Sequence, residues 1–310
     1  MEKSKECFKT CVGGQALMEG IMMRGPEKIC VAVRNPEGEI ELSYDEVKHH
    51  PWSKIPFLRG VFNMVESMIL GYRYLMHSAE VSMGDDFVDE ESKFDKWLQE
   101  HTGPKTQSIL MTCAGVLGGL LALVLFMVLP TMIVGLIDHF APLGGAKVIL
   151  EGVLKLGIFI GYLFLCTRMK EIHRVFEYHG AEHKTIACYE HNEQLTVENV
   201  RKHIRFHPRC GTSFLILVLI VSIFLSSVIP WGNTALRVVY KLLLLPVVMG
   251  ISYELIKLAG RYDNIFTRII SAPGLWLQRL TTFEPDDSMI EVAIAAVKPV
   301  LPERPEDGLW

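Results

Sequence analysis

Apolar residues in this chain are gathered into long blocks separated by polar stretches. From Ser108 to Ile137 no charged side chain occurs. A hydrocarbon core about 30 Å thick takes roughly 20 helical residues to cross, so this block predicts a first transmembrane helix, kinked at Pro130. After a short turn, Asp138 to Ala146, the stretch Val148 to Thr167 reads as the return crossing. Glu151 and Lys155, spaced i,i+4 near its start, can pair or snorkel. A third span is expected over Ser213 to Ile229 and a fourth over Ala235 to Ile256. The last carries Lys241, Pro246, Gly250 and Glu254, the marks of a helix facing protein more than lipid.

The flanking segments change period. Between Ile55 and Met83, Leu58, Val61, Phe62, Val65, Met68, Ile69, Tyr72 and Leu75 form a 3.6-residue stripe interrupted by Arg59, Glu66, Arg73 and His77. That pattern predicts an amphipathic helix on the membrane surface or against the bundle. Phe266 to Leu280 is also amphipathic, broken at Pro273-Gly274, with Trp276 suited to the headgroup zone. A last helix is expected from Ser288 to Val297, capped by Asp287 or Ser288. Near the N-terminus, Lys28 to Arg34 and Glu39 to Tyr44 read as strands around the turn Asn35-Pro36-Glu37-Gly38. Gly13-Gly14 reads as a tight bend. The acidic run from Asp85 to Glu91 reads as a solvated linker.

The predicted fold class is an α-helical polytopic membrane protein. It has four transmembrane helices, a small β-rich cytosolic unit and amphipathic interfacial helices. The predicted divisions are 1–54 for the β-rich unit, 55–107 for the amphipathic helix and acidic linker, 108–256 for the membrane domain with a cytosolic loop over 168–212, and 257–310 for the interfacial helix and tail. Half of the residues are hydrophobic, 50%, which sets the chain apart from an ordinary soluble enzyme. A net charge of −4 gives no polybasic signal for nucleic acid. The segment Met1 to Glu6 has no apolar core, so the first span is expected to serve as its own insertion signal. The turns 138–146 and 230–236 carry no Lys or Arg, whereas 168–212 carries Arg168, Lys170, Arg174, Lys184, Arg201, Lys202, Arg205 and Arg209. The positive-inside rule then places both termini and the central loop in the cytosol of a multi-pass protein of the cell membrane. Seven scattered cysteines without a C-x-x-C pair fit that reducing compartment better than a disulfide framework.

Chemistry concentrates in the central loop, which holds six of the 11 histidines together with Cys188 and Cys210. His179 and His183 share a helical face beside Glu182, and His203 and His207 repeat the spacing. H-x-x-E-H is the inverted-zincin pattern, with two histidines on zinc and the glutamate as general base. The same residues also fit a polar helical turn whose histidines bond to their neighbours. A divalent metal, zinc by donor type, would take His179 and His183 with a third ligand among His207, Cys210 and Glu254, leaving a position for water. Glu182 is the candidate catalytic base. Capping is the preferred role for Glu284, Asp286 and Asp287.

Four motif stretches, Gly13 to Pro26, Phe176 to Lys184, His207 to Phe214, and Pro273 to Gln278 with Glu284-Pro285-Asp286-Asp287, together resemble the YqhQ-like family of bacterial membrane proteins. The resemblance spans nearly the whole chain and implies a predicted metal-dependent enzyme, a description resting on the same histidine motif. The favoured expectation is a metal-dependent hydrolase at the cytosolic face, acting on a peptide or lipid substrate. The alternative is a non-enzymatic membrane scaffold or assembly factor that holds a protein partner, with any metal structural. A membrane di-iron oxidase ranks low, because no histidine follows His207. A transporter is kept open by Glu151, Lys155, Lys241 and Glu254.

Overall fold

The computed structural model describes residues 8–48, 50, 55–84, 104–262, 264–302, 304 and 308, and side chains of 104–112 and 114 are outside that description. The acidic run 85–91 lies outside the described residues. The chain divides into two compact units. The first gathers three separated segments, Met1–Gly84, Phe164–Val218 and Met249–Trp310, and the second comprises Asp85–Leu163 and Leu219–Val248.

The first unit is built on an antiparallel meander of four strands: β1 (Gly13–Leu17), β2 (Gly20–Arg24), β3 (Lys28–Arg34) and β4 (Ile40–Glu46). The second hairpin follows the sequence expectation, with Gly38 at φ +87° closing its turn. The first does not: the stretch read as a glycine bend is two paired strands with Gly14 opposite Met23. Glycines and methionines are weak strand signals, and pairing to β3 outweighs them here. Alternation explains the continuous apolar run of β3. Ile21, Met23, Cys30 and Ala32 face one side, packed with Tyr178, Ala181, Met289, Ile290, Ala293 and Val297. Met22, Ile29, Val31 and Val33 face the other, packed with Tyr74 of helix α1 (Leu58–Met83). Burial on both faces removes the polar half of the pattern. The outer strand β4 keeps Glu41, Asp45 and Glu46 along its length, which guards the open edge. On α1, the face away from the sheet leaves Phe62, Val65, Met68, Ile69 and Tyr72 exposed.

In the second unit, α2 (Pro104–Leu123) runs through a wide π-type turn, Val124–Val128, into α3 (Leu129–Phe140). Pro130 has no N–H and crowds the preceding turn, and the wide turn directly before it relieves both problems inside a continuous helix. Helix α4 (Ala146–Cys166) follows. Two later helices pass from one unit's range into the other's, α7 (Gly211–Ser226) and α8 (Thr234–Arg261). Among the described residues, three helices are long and apolar enough to cross a membrane: Gly115–Phe140, Ala146–Cys166 and Thr234–Arg261. The helix predicted as a third span, α7, has only 16 residues, about 24 Å at 1.5 Å per residue. Glu151 and Lys155 do not pair with each other. Glu151 bonds to Thr131, Arg237 and Lys241, and Lys155 to Ser222.

The stretch 168–212 is mostly helical: α5 (Lys170–Glu190) and α6 (Val197–Lys202), the latter capped by Thr196. Because α6 ends at Lys202, His203 and His207 do not share a helical face as their spacing predicted. Helix α9 (Ile265–Thr281) continues through Pro273 where a break was expected, and Gly274 lies so close to Ser213 that a Cβ would meet its Oγ at 2.3 Å. Helix α10 (Asp287–Val297) is capped by Asp286, one residue earlier than expected, with its carboxylate accepting from the Met289 N–H at 2.9 Å.

Candidate metal centre

Helix α5 is the axis of the first unit. Its apolar side, Tyr178 and Ala181, is in the core against α10 and the sheet, which turns His179, Glu182 and His183 toward the segment 203–210 and the end of α9. The close approach depends on Gly180, where a Cβ would fall 2.0 Å from the Phe283 carbonyl oxygen. That approach is fixed by the Phe283 N–H donating to the Phe176 carbonyl at 2.9 Å.

Each histidine is aimed by a backbone carbonyl. His179 Nδ1 lies 2.7 Å from the carbonyl oxygen of Thr281, one of the acceptors left open at the end of α9. His183 Nδ1 lies 2.6 Å from the carbonyl of Arg205. A carbonyl only accepts, so both Nδ1 atoms carry protons. His183 Nε2 is buried with no hydrogen-bond partner. His179 Nε2 is 3.1 Å from Cys210 Sγ. Cys210 sits immediately before α7, where its sulfur is 3.1 Å from Thr212 Oγ1 and accepts from the Thr212 N–H at 3.4 Å. Ligand atoms of His179, His183 and Cys210 all lie within 4.8 Å of one another.

Glu182 completes the group. Its Oε1 accepts from the Gly14 N–H at 3.1 Å, and its Oε2 is buried without a partner. Burial pushes its pKa up, against the opposing pull of the two histidines. Burial alone would depress His179, yet the charge of Cys210 and the contact with it carry it up to about 9. Cys210 moves the other way, well below the ordinary thiol range, because His179 and His183 outweigh the cost of burying a thiolate. The helix N-terminus favours the same anion. Both directions favour a thiolate at Cys210 and an imidazolium at His179.

Of the other predicted ligands, His207 is close but engaged. Its ring lies 5.6 Å from that of His183, while its Nε2 is 3.4 Å from Glu190 Oε2 and 3.2 Å from an Arg209 nitrogen. Glu190 is buried, binds Arg209, and accepts from the Thr10 N–H at 2.8 Å. Glu254 does not join the group. Arg59 grips its carboxylate at 2.8 and 2.5 Å, and the Phe57 N–H adds a bond at 3.3 Å. A downstream glutamate was expected from spacing, but an arginine on α1 takes this one. Glu284 binds Lys184 and Arg205, and Asp287 binds Arg201. A second donor group, Cys188, Glu193 and His203, is more open, with His203 Nε2 already 3.3 Å from Glu193.

A family model described as a protein of unknown function, DUF1385, matches residues 55–303. The chain belongs to this family. It is 37% identical over 305 residues, 96% of this chain and 94% of the relative, to a Bacillus subtilis (strain 168) protein named "Uncharacterized protein YqhQ". No solved structure matches. The four motif stretches noted in the sequence meet around α5: Gly14 from the first, His179 to His183 from the second, Cys210 from the third, and Gln278 and Glu284 from the last. Gln278 was not singled out by sequence reasoning. Fully buried, it accepts from the His207 N–H at 2.8 Å and donates to the His207 carbonyl at 2.7 Å, fixing the strand that delivers Cys210. Its place in a long motif was the only signal.

The residues fit a metal. Two nitrogen donors and a sulfur converge, both histidines are oriented through their second nitrogen as ligating histidines are, and His183 Nε2 and Glu182 Oε2 are buried without a hydrogen-bond partner. An N,N,S set suits zinc and leaves a fourth position free.

Proposed function

We propose that this protein is a membrane-embedded, zinc-dependent hydrolase whose first unit holds one metal ion through His179, His183 and Cys210, with Glu182 as the proton acceptor. The observation that carries this reading is the convergence of three aimed donors beside a carboxylate oxygen that has no partner. Bound zinc supplies Lewis acidity, bringing a coordinated water into the neutral titration range. The chain's own residues do the rest. Glu182 is held at Oε1 by the Gly14 N–H, which leaves Oε2 buried without a partner, and burial raises its pKa, the direction that favours a carboxylate able to accept a proton. Thr281 and Arg205 hold the imidazoles, and Thr212 steadies the thiolate.

The membrane reading has four crossings with both termini in the cytosol. Three long apolar helices, the shorter α7, and the Lys and Arg excess of 168–212 support it. A second reading, a scaffold with a structural metal, is favoured by the burial of His183, Glu182 and Cys210 at 1%, 5% and 7% exposure. Metal content of untagged protein in mild detergent tests the site. About one zinc per chain is expected, lost in His179→Ala, His183→Ala and Cys210→Ser, and its absence from the wild type would refute the site. Glu182→Gln then separates the readings: the hydrolase keeps its metal and loses turnover, whereas a structural centre shows no turnover to lose.

A further inference from the structure

A second group of donor side chains lies past the proposed centre, where α5 ends. The ligand atoms of Cys188, Glu193 and His203 all fall within 4.8 Å of one another. A helix stop brings them together. Asn192 takes the left-handed conformation, φ +55°, and its N–H donates to the Tyr189 carbonyl at 2.9 Å, while the Glu193 N–H donates to the Cys188 carbonyl at 3.2 Å. This pair of bonds closes many α-helices behind a glycine or an asparagine, and it returns Glu193 to the turn that carries Cys188. The chain then comes back through α6, whose Val200 shares a core with Cys188. His203 ends that helix, its N–H donating to the Val200 carbonyl at 3.1 Å.

Contacts within the group are loose. His203 Nε2 stands 3.3 Å from Glu193 Oε2, and the Cys188 thiol reaches the Gln194 carbonyl only at 3.7 Å. A charge-assisted bond would close to about 2.7–2.9 Å. Zinc bonds of about 2.0–2.3 Å place tetrahedral donors roughly 3.3–3.8 Å apart. The His203 and Glu193 atoms already have that spacing, and the remaining gaps close with movements of about 1 Å. Burial is graded across the group. Cys188 is fully buried, whereas the side chains of His203 and Glu193 are 12% and 38% exposed, so the sulfur is the floor and the other two donors border solvent. His191 supplies a fourth donor. Its ring centre lies 4.9 Å from that of His203, and its Nδ1 donates to the Ala187 carbonyl at 2.7 Å, which leaves Nε2 to accept. Sulfur, imidazole and carboxylate together suit zinc, whereas magnesium and calcium favour oxygen alone. Burial pushes the Cys188 thiol up to about 11, so loading exchanges its proton for the metal.

We propose that Cys188, Glu193 and His203, with His191 as the fourth donor, form a second site, for an exchangeable divalent transition metal of the zinc type. It shares no residue with the proposed centre and stands or falls by itself. With two donors at the solvent border it gives up its ion during purification and refills on titration, so zinc retained as purified reports the first centre. An ion here would also fasten the start of the segment whose Arg205 carbonyl aims His183.

Cobalt(II) titration of the full chain in mild detergent, carrying Cys210→Ser, tests the site. That substitution removes the sulfur of the first centre and leaves Cys188 as the one cysteine in either donor group. About one cobalt per chain with thiolate-to-cobalt charge-transfer absorption is expected, discharged by added zinc. Cys188→Ser should abolish the absorption. Glu193→Gln and His203→Gln, polar replacements at partly exposed positions that spare the core, should each weaken binding about tenfold or more. Glu198→Gln, an exposed position on α6, should leave it unchanged. No charge-transfer absorption, its survival in Cys188→Ser, or binding indifferent to both Glu193→Gln and His203→Gln would overturn the proposal. Restoring Cys210 should add a second cobalt, and failure to add it would refute the first centre while leaving this one established.

Discussion

Replacing Gly14 with alanine tests whether the N-terminal sheet holds the candidate base. The added Cβ would stand 2.5 Å from the Met22 carbonyl oxygen, 2.9 Å from Met23 Sδ and 3.2 Å from the Glu182 carboxyl carbon. Real Cβ contacts stay beyond 3.0 Å, so β1 must retreat from β2 by at least 0.5 Å. The retreat carries the Gly14 N–H away from Glu182 Oε1, already 3.1 Å distant. Overpacking of this kind costs about 1–3 kcal/mol, and a lost hydrogen bond to a carboxylate about 1.5–3 kcal/mol. The two overlap, and a combined loss of about 2–5 kcal/mol corresponds to a melting drop of roughly 5–15 °C for a unit of this size. The adjacent Gly13 is the control. Nothing lies within 4 Å of its added Cβ, so Gly13→Ala should melt within about 1 °C of wild type or slightly higher. Scanning fluorimetry of both variants at one scan rate, with metal content measured in parallel, reads the difference. Equal melting of the two would refute the idea that β1 is pressed against Glu182.

Three further outcomes follow from the same geometry. Glu190→Gln leaves Arg209 and His207 buried without their counter-charge and should destabilise the first unit by about 3–5 kcal/mol, read by denaturant melts. Burial raises the Glu190 pKa, but His207, Arg209 and the Thr10 amide outweigh it, so the folded value lies below the ordinary 4.5 of a glutamate. Its stabilisation is therefore present above that pH and lost as pH falls through the folded value, and the acid melting slope should flatten in the variant. Metal uptake must displace the proton held by His179 near pKa 9, so zinc affinity should rise steadily from pH 6 to 8 in a competition titration; a flat profile would refute the imidazolium assignment. Glu254→Gln should keep full metal content while melting lower, because its partner is Arg59 and not a metal; a metal-free variant would return Glu254 to the ligand set.

The legible parts of this chain were those with a strong period or a local spacing. The uncharged block from Ser108 to Ile137 and the stripe of α1 announced helices, and the i,i+4 pair His179 and His183 announced the cluster that Cys210 joins. The illegible parts depend on contacts far along the chain. A fully buried strand such as β3 shows no alternation, β1 and β2 are drawn from glycine and methionine, and Pro273 sits inside a helix that packing sustains. Choosing Cys210 over Glu254 required knowing which arginine stood beside the glutamate. Thr281 and Arg205 act through backbone carbonyls, which no side-chain pattern displays.

The first unit is stitched from three separated segments, and that gives the candidate metal centre a history in time. The proposed ligands His179, His183 and Cys210 emerge together, but the carbonyl that aims His179 belongs to Thr281 and the amide that holds Glu182 belongs to Gly14. At roughly 5–20 residues per second of synthesis, on the order of 10–50 s separate those two ends. Through that interval β1 and β2 gain Tyr74 of α1 and then Tyr178 of α5 as cover, but the α10 side of the core is still missing. The donors are thus made first and their cover last. A nascent chain cut before Thr281 would own every ligand and still lack the means to point one of them.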